Sequence, residues 1–190
     1  MNFQSGSIYH IYNRGNDKQQ LYFSDRNYLF FLDKIRKYIM PHCSVLAYCL
    51  MPNHFHILIY ANDKTENLVN TNSLITKNVL SEGIRLMLSS YTKAINKQEG
   101  KTGNLFQQKT KAKEVFHEGF SNGNLNKLKT EYEKVCFDYI HLNPVKAGLV
   151  LNSDEWEYSS YHEYFKICNN PLCDKEQALK LQCFVSVPHL

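Results

Sequence analysis

The chain opens on a β-prone run and then changes period. Ser7-Ile8-Tyr9-His10-Ile11-Tyr12-Asn13 is stopped by Arg14-Gly15-Asn16-Asp17, which predicts a strand entering a turn. From Tyr28 to Ile39 the spacing becomes helical, with Leu29, Leu32, Ile35, Arg36 and Ile39 recurring on one face. Ser24 or Asp25 is placed to cap that helix and Pro41 to stop it. Cys43 to Leu50 and Phe55 to Tyr60 are again β-prone, and Met51-Pro52-Asn53 between them is a connection of hairpin length. Residues 62–72 are polar and loop-like. Leu74, Val79, Ile84, Leu86, Leu88, Tyr91 and Ile95 then predict a helix from Ser73 to Lys97, weakened by Gly83. After a break at Gly100 to Gly103, Leu105 to Val115 reads as a fourth strand, followed by a loop over 119–124. Leu128, Tyr132, Val135, Cys136 and Tyr139 predict a last helix from Lys127 to His141, with Asn143-Pro144 as its stop.

The order strand, helix, strand, strand, helix, strand, helix predicts an α+β fold: a ferredoxin-like antiparallel sheet with helices packed on one face. The aromatic tail from Trp156, with Tyr158, Tyr161, Tyr164 and Phe165, is expected to pack on that core.

Composition narrows the class without naming a function. At 190 residues with 43% hydrophobic and 21% charged positions, the chain has the make-up of one globular domain large enough to bury a core without disulfides. No stretch reaches the roughly 18 to 20 apolar residues of a membrane span, and Met1 to Ser5 lacks the basic and apolar pattern of an export signal. A cytoplasmic protein is expected. Six cysteines without a CxxC pair point to reduced, mostly structural thiols; Cys168 and Cys173 are spaced more widely than usual zinc ligand pairs. A net charge of +4 is too mild to identify a nucleic-acid partner by its sum.

Chemistry is suggested at two places. In His54-Phe55-His56 the alternation of a strand puts both imidazoles on one face, their roots about 7 Å apart, where they can converge on one cation. The same pattern also suits two polar residues on a solvated strand face. In Tyr139-Ile140-His141-Leu142-Asn143, positions four apart share a helix face, so Tyr139 and Asn143 look the same way and His141 points elsewhere. A tyrosine hydroxyl is a weak nucleophile unless a nearby cation or base favours the phenolate, or a metal polarises the phosphate it attacks.

These segments carry a resemblance. Cys49-Leu50-Met51-Pro52-Asn53-His54-Phe55-His56 and Tyr139-Ile140-His141-Leu142-Asn143-Pro144-Val145-Lys146-Ala147-Gly148-Leu149-Val150 resemble the REP-associated tyrosine transposases, single-tyrosine members of the HUH superfamily. Tyr9 to Asn16, Gly103 to Lys109 and Trp156 to Tyr161 are similar to further signatures of that family, in order from about residue 7 to 165. The resemblance implies an HUH transposase domain over 1–165 and a C-terminal extension over 166–190. It implies metal ligands at His54 and His56 with Asn143 as the third, and a nucleophile at Tyr139. Related insertion-sequence enzymes carry glutamine four residues after the tyrosine, so the shorter Asn143 leaves that place open to a water or another residue. The implied reaction nicks and rejoins single-stranded, hairpin-forming repeat DNA through a 5′-phosphotyrosine. Mg²⁺ or Mn²⁺ is the expected ion, and Mn²⁺ tolerates imidazole better.

Arg14, Asn16, Lys109, Lys111 and Lys113 are the candidate DNA contacts, the three lysines alternating on one strand face. A solvated strand face explains that alternation equally well. A monomer is expected over a homodimer. The competing readings are a replication or conjugative nickase, a catalytically inactive hairpin-DNA regulator, and a metal-binding α+β protein without nucleic-acid function.

Overall fold

A computed structural model describes residues 1–70, 76–117, 125–166, 168 and 170–184. Its frame is a four-stranded antiparallel sheet of β1 (Ser7–Arg14), β2 (Ser44–Met51), β3 (His54–Tyr60) and, after the two short strands named below, β6 (Lys111–His117), in the order β2-β3-β1-β6. This is the ferredoxin-like order that the sequence predicts. Met51 pairs with His54 across the Pro52-Asn53 turn, so the predicted hairpin is observed with its register set at the loop.

One face of the sheet is covered by α1 (Asp25–Tyr38) and α2 (Val79–Glu99). Tyr28, Phe31, Leu32 and Ile35 of α1 pack with Ile84, Met87, Tyr91 and Ile95 of α2 over Ile11, Leu50, Phe55 and Ile57. Leu29, counted above on the apolar face of α1, is 57% exposed, because Tyr28 and Phe31 take the buried stripe. Gly83, read from sequence as a weakness in α2, is a packing requirement: a Cβ there would lie 2.2 Å from the Tyr38 carbonyl oxygen. The helix starts later than predicted. Leu68–Asn70 (β4) and Thr76–Asn78 (β5) pair ahead of it, and the Asn78 side chain accepts from the Leu80 and Ser81 amides. The predicted helix start at Ser73 and the predicted loop over 119–124 lie outside the described residues.

The opposite face corrects the expectation of helices on one side only. There α3 (Leu125–Lys146) sets Cys136, Phe137 and Ile140 against Ile8, Leu46, Ala47, Cys49, Met51 and Leu58. β2 and β3 are apolar on both faces, so a one-sided plan would leave this second set in water. Helix α3 also runs through Pro144 instead of stopping before it. It ends at Gly148, whose φ of 68° closes the helix. The Leu149 amide bonds the Pro144 carbonyl at 3.0 Å and the Gly148 amide bonds the Val145 carbonyl at 2.9 Å, the two bonds of a Schellman C-cap. The missing amide of proline removes one bond near a helix end, where the loss is easily borne.

The aromatic tail does pack on the core. Tyr158 stacks on Tyr28 at 3.7 Å between ring centroids, and the Trp156 indole donates to the Leu50 carbonyl at 3.1 Å. Residues 158–160 pair with the free edge of β2 through Leu50 N–H to Tyr158 O and Ser160 N–H to Tyr48 O, both 2.9 Å. Within α4 (Tyr161–Phe165), the buried Glu163 carboxylate accepts from the Leu172 and Cys173 amides at 2.8 Å and from the Tyr48 hydroxyl at 2.9 Å. That anchors the stretch leading to α5 (Lys175–Lys180), which lays Ala178 and Cys183 into the α3-side core. Five of the six cysteines are buried.

Candidate active site

Alternation places His54 and His56 of β3 on the α3 side of the sheet, with Phe55 between them in the opposite core. Their rings lie 5.1 Å apart at 88°. Antiparallel pairing brings Tyr12 and Arg14 of β1 opposite His56 and His54 on the same face. From above, α3 lowers Tyr139 onto this patch. Its ring meets the His56 ring edge-on at 5.6 Å and stays 40% exposed. The cleft so formed has a volume of about 330 Å³ and is lined by Tyr12, Arg14, His54, His56, Lys109, Lys111 and Tyr139 among others.

Each imidazole is held by its Nδ1 atom. His54 Nδ1 lies 2.6 Å from the Asn53 side-chain oxygen, which can only accept, so this nitrogen carries the proton. His56 Nδ1 lies 2.8 Å from His10 Nε2. His56 Nε2 is buried and has no hydrogen-bond partner among the described residues. Asn143 is also buried, lies beside His54, and has no partner for its Nδ2 among the described residues. An unpartnered imidazole nitrogen beside a second imidazole and a side-chain amide suits a divalent ion of the Mn²⁺ kind. Among the described residues, no three His, Cys, Asp or Glu side chains gather at one ion position. An ion here therefore depends on the amide or on water for its remaining ligands.

Burial sets the protonation of this cluster. His56 is held down to about 3 by desolvation, reinforced by His10 and His54, and His10 is held down to about 4 by desolvation and by Lys113. His54 is lowered by burial and then by Arg14. All three are therefore neutral near pH 7, the form that offers a lone pair to a metal. His141, as expected, turns away from the cleft. It is buried against Phe137, its Nε2 lies 2.7 Å from the Ser160 hydroxyl, and burial holds its pKa near 3.

The remaining predicted residues divide. Lys109 and Lys111 line the cleft with Arg14. Asn13 holds the Lys109 segment there, its side-chain amide donating to Gln107 O at 3.1 Å and Thr110 Oγ1 at 2.9 Å. Lys113 sits beside His10 without lining the cleft, and exposed Asn16 does not line it either. Two residues were missed from sequence. His10 shares strand parity with Arg14, so the alternation that marked β3 could have marked it. Lys146, whose ammonium lies 5.3 Å from the Tyr139 ring centroid, sits two helical turns beyond that residue.

A four-stranded antiparallel sheet with helices packed against it is the α+β fold that the resemblance implies. Among solved structures, the chain is similar to a REP-associated tyrosine transposase bound to a REP hairpin, with a TM-score of 0.54 and 16% identity. The match covers 87% of this chain and 82% of that one, and at this identity it establishes a common fold. No protein-family model and no curated protein matches the sequence. Among the described residues, no helix is long and apolar enough to cross a membrane.

Proposed function

We propose that the protein is a metal-dependent single-stranded DNA transposase that nicks and rejoins hairpin-forming repeat DNA through Tyr139. The observation that carries this reading is the meeting of Tyr139 with His56, whose buried Nε2 has no partner. Most buried polar atoms are hydrogen-bonded, so a partnerless buried imidazole nitrogen next to a half-exposed tyrosine favours a ligand-binding site over plain packing. The hairpin substrate is supported by the REP hairpin bound to the neighbour of like fold.

His54 Nε2, His56 Nε2 and the Asn143 oxygen are the atoms that would hold Mg²⁺ or Mn²⁺, which would supply Lewis-acid polarisation of the scissile phosphate. The protein's own groups do the rest. Arg14, Lys109 and Lys111 draw the phosphate into the cleft. Tyr139 Oη attacks phosphorus; an Oη–P bond forms, the bond from phosphorus to the 3′ oxygen breaks, the phenolic proton passes to solvent, and the leaving 3′ oxygen takes one up. Attack by another 3′ hydroxyl reverses the step, so rejoining needs no nucleotide cofactor. Lys146, over the face of the Tyr139 ring, favours the aryl oxygen as it gains charge. We read the enzyme as acting in the monomer.

The test is incubation of labelled single-stranded hairpins, drawn from repeats flanking the gene, with Mn²⁺ or with EDTA, followed by a denaturing gel. A metal-dependent nick with a protein-linked product supports the reading. Hairpin binding without a nick under any metal replaces it with an inactive DNA-binding regulator.

A further inference from the structure

The cleft around Tyr139 is small, and a strand cut there must continue beyond it. Across the edge of the sheet lies a second, larger groove of about 930 Å³, between the outward face of α2 and the segment 103–112 that leads into β6. Arg85 and Lys93 line it from the helix, and Lys109 and Lys111 from the segment. No Asp or Glu lies among its described lining residues. Arg85 is paired with Glu82 at 2.5 Å, whereas Lys93, Lys109 and Lys111 are exposed without a carboxylate in the wall. The groove adjoins the cleft, since Gln107, Lys109 and Lys111 line both. The one ring among its described lining residues, Phe106, is 7% exposed and offers little stacking surface.

Resting on the DNA-processing function above, we propose that this groove is the track for the single strand flanking the nick, gripped through its phosphate backbone by Lys93, Lys109 and Lys111. A basic wall with hydroxyl and amide side chains and no stacking platform suits phosphates and is indifferent to bases. The volume is that of an ordinary ligand pocket, room for a short run of nucleotides. Along α2 from Ser81 to Asn96, 15 residues rise ~22 Å, a length along which a few unstacked nucleotides can lie.

The test compares labelled hairpins without a tail and with an oligothymidylate tail at one end or the other, by fluorescence anisotropy over a series of salt concentrations. Wild type is expected to bind one tailed hairpin more tightly, with a steeper salt dependence. Lys93→Gln is expected to weaken that tailed hairpin about fivefold near 0.1 M salt and to flatten its salt slope by about 0.7. It leaves the untailed hairpin unchanged, and Ser89→Glu, which adds an anion to the same wall, acts in the same direction. If wild type binds hairpins and gains nothing from either tail, or if Lys93→Gln weakens tailed and untailed hairpins alike, the track is refuted while the proposed function stands. If wild type binds no hairpin, both fall.

Discussion

Three buried histidines predict how this fold responds to acid. Burial holds His141 and His56 near 3 and His10 near 4, against 6.5 for an unperturbed imidazole. The folded values lie below the unfolded ones, so at intermediate pH the unfolded chain binds protons that the native state refuses. Stability is therefore complete above about pH 6.5 and falls as pH drops toward the folded values. Each pKa unit corresponds to about 1.4 kcal/mol. Going from pH 7 to pH 5 thus costs about 2 kcal/mol per histidine and about 6 kcal/mol for the three, a large share of the roughly 5 to 15 kcal/mol that stabilises a domain. The assay is urea unfolding in EDTA at a series of pH values, for wild type and for His10→Phe, which keeps a ring and removes one titrating group. The pH-linked loss is expected to shrink toward about 4 kcal/mol in the variant. A wild-type loss below about 2 kcal/mol, or an unchanged loss in His10→Phe, would refute the reasoning.

Further outcomes follow from single contacts. Gly148 closes α3 at positive φ with open space around its Cβ position, so Gly148→Ala is expected to cost about 1 kcal/mol in unfolding free energy from backbone strain alone. His10→Phe is also expected to lower Mn²⁺ affinity by about 10- to 100-fold in a calorimetric titration, because a His56 that binds an ion through Nε2 carries its proton on Nδ1, and His10 Nε2, 2.8 Å away, is the atom placed to accept it. Nitrogen-15 NMR of the metal-free protein checks the cause: His56 moves from the Nδ1–H to the Nε2–H tautomer, and His10→Gln, which retains an acceptor, restores the first.

Much of this architecture was legible because local signals agreed. The hairpin followed from two β-prone runs around Pro52-Asn53, and the pairing of His54 with His56 from strand alternation alone. What failed depended on tertiary contacts. The placement of α3 on the second face is encoded in Ala47, Cys49, Met51 and Leu58, which a single strand read alone cannot assign to one partner or another. Pro144 was read as a stop, although Gly148 four residues later carried the stronger end signal. Gly83 was weighed by helix propensity when its role is close contact with α1. At the site, Asn143 was the least certain ligand from sequence, yet continuation of α3 through Pro144 keeps it on the stripe of Tyr139, beside His54. His10 was passed over because only the pairing of β1 with β3 shows which histidine it touches.

The central claim is that Tyr139 is the nucleophile, and the most direct test is to find the DNA on it. Protein incubated with a labelled hairpin and Mn²⁺ is digested with nuclease and trypsin and read by mass spectrometry. A nucleotide adduct on Tyr139, within the peptide from Val135 to Lys146, is predicted for wild type, with none in His56→Ala. An adduct on any other residue, or one that persists in Tyr139→Phe, would contradict the account.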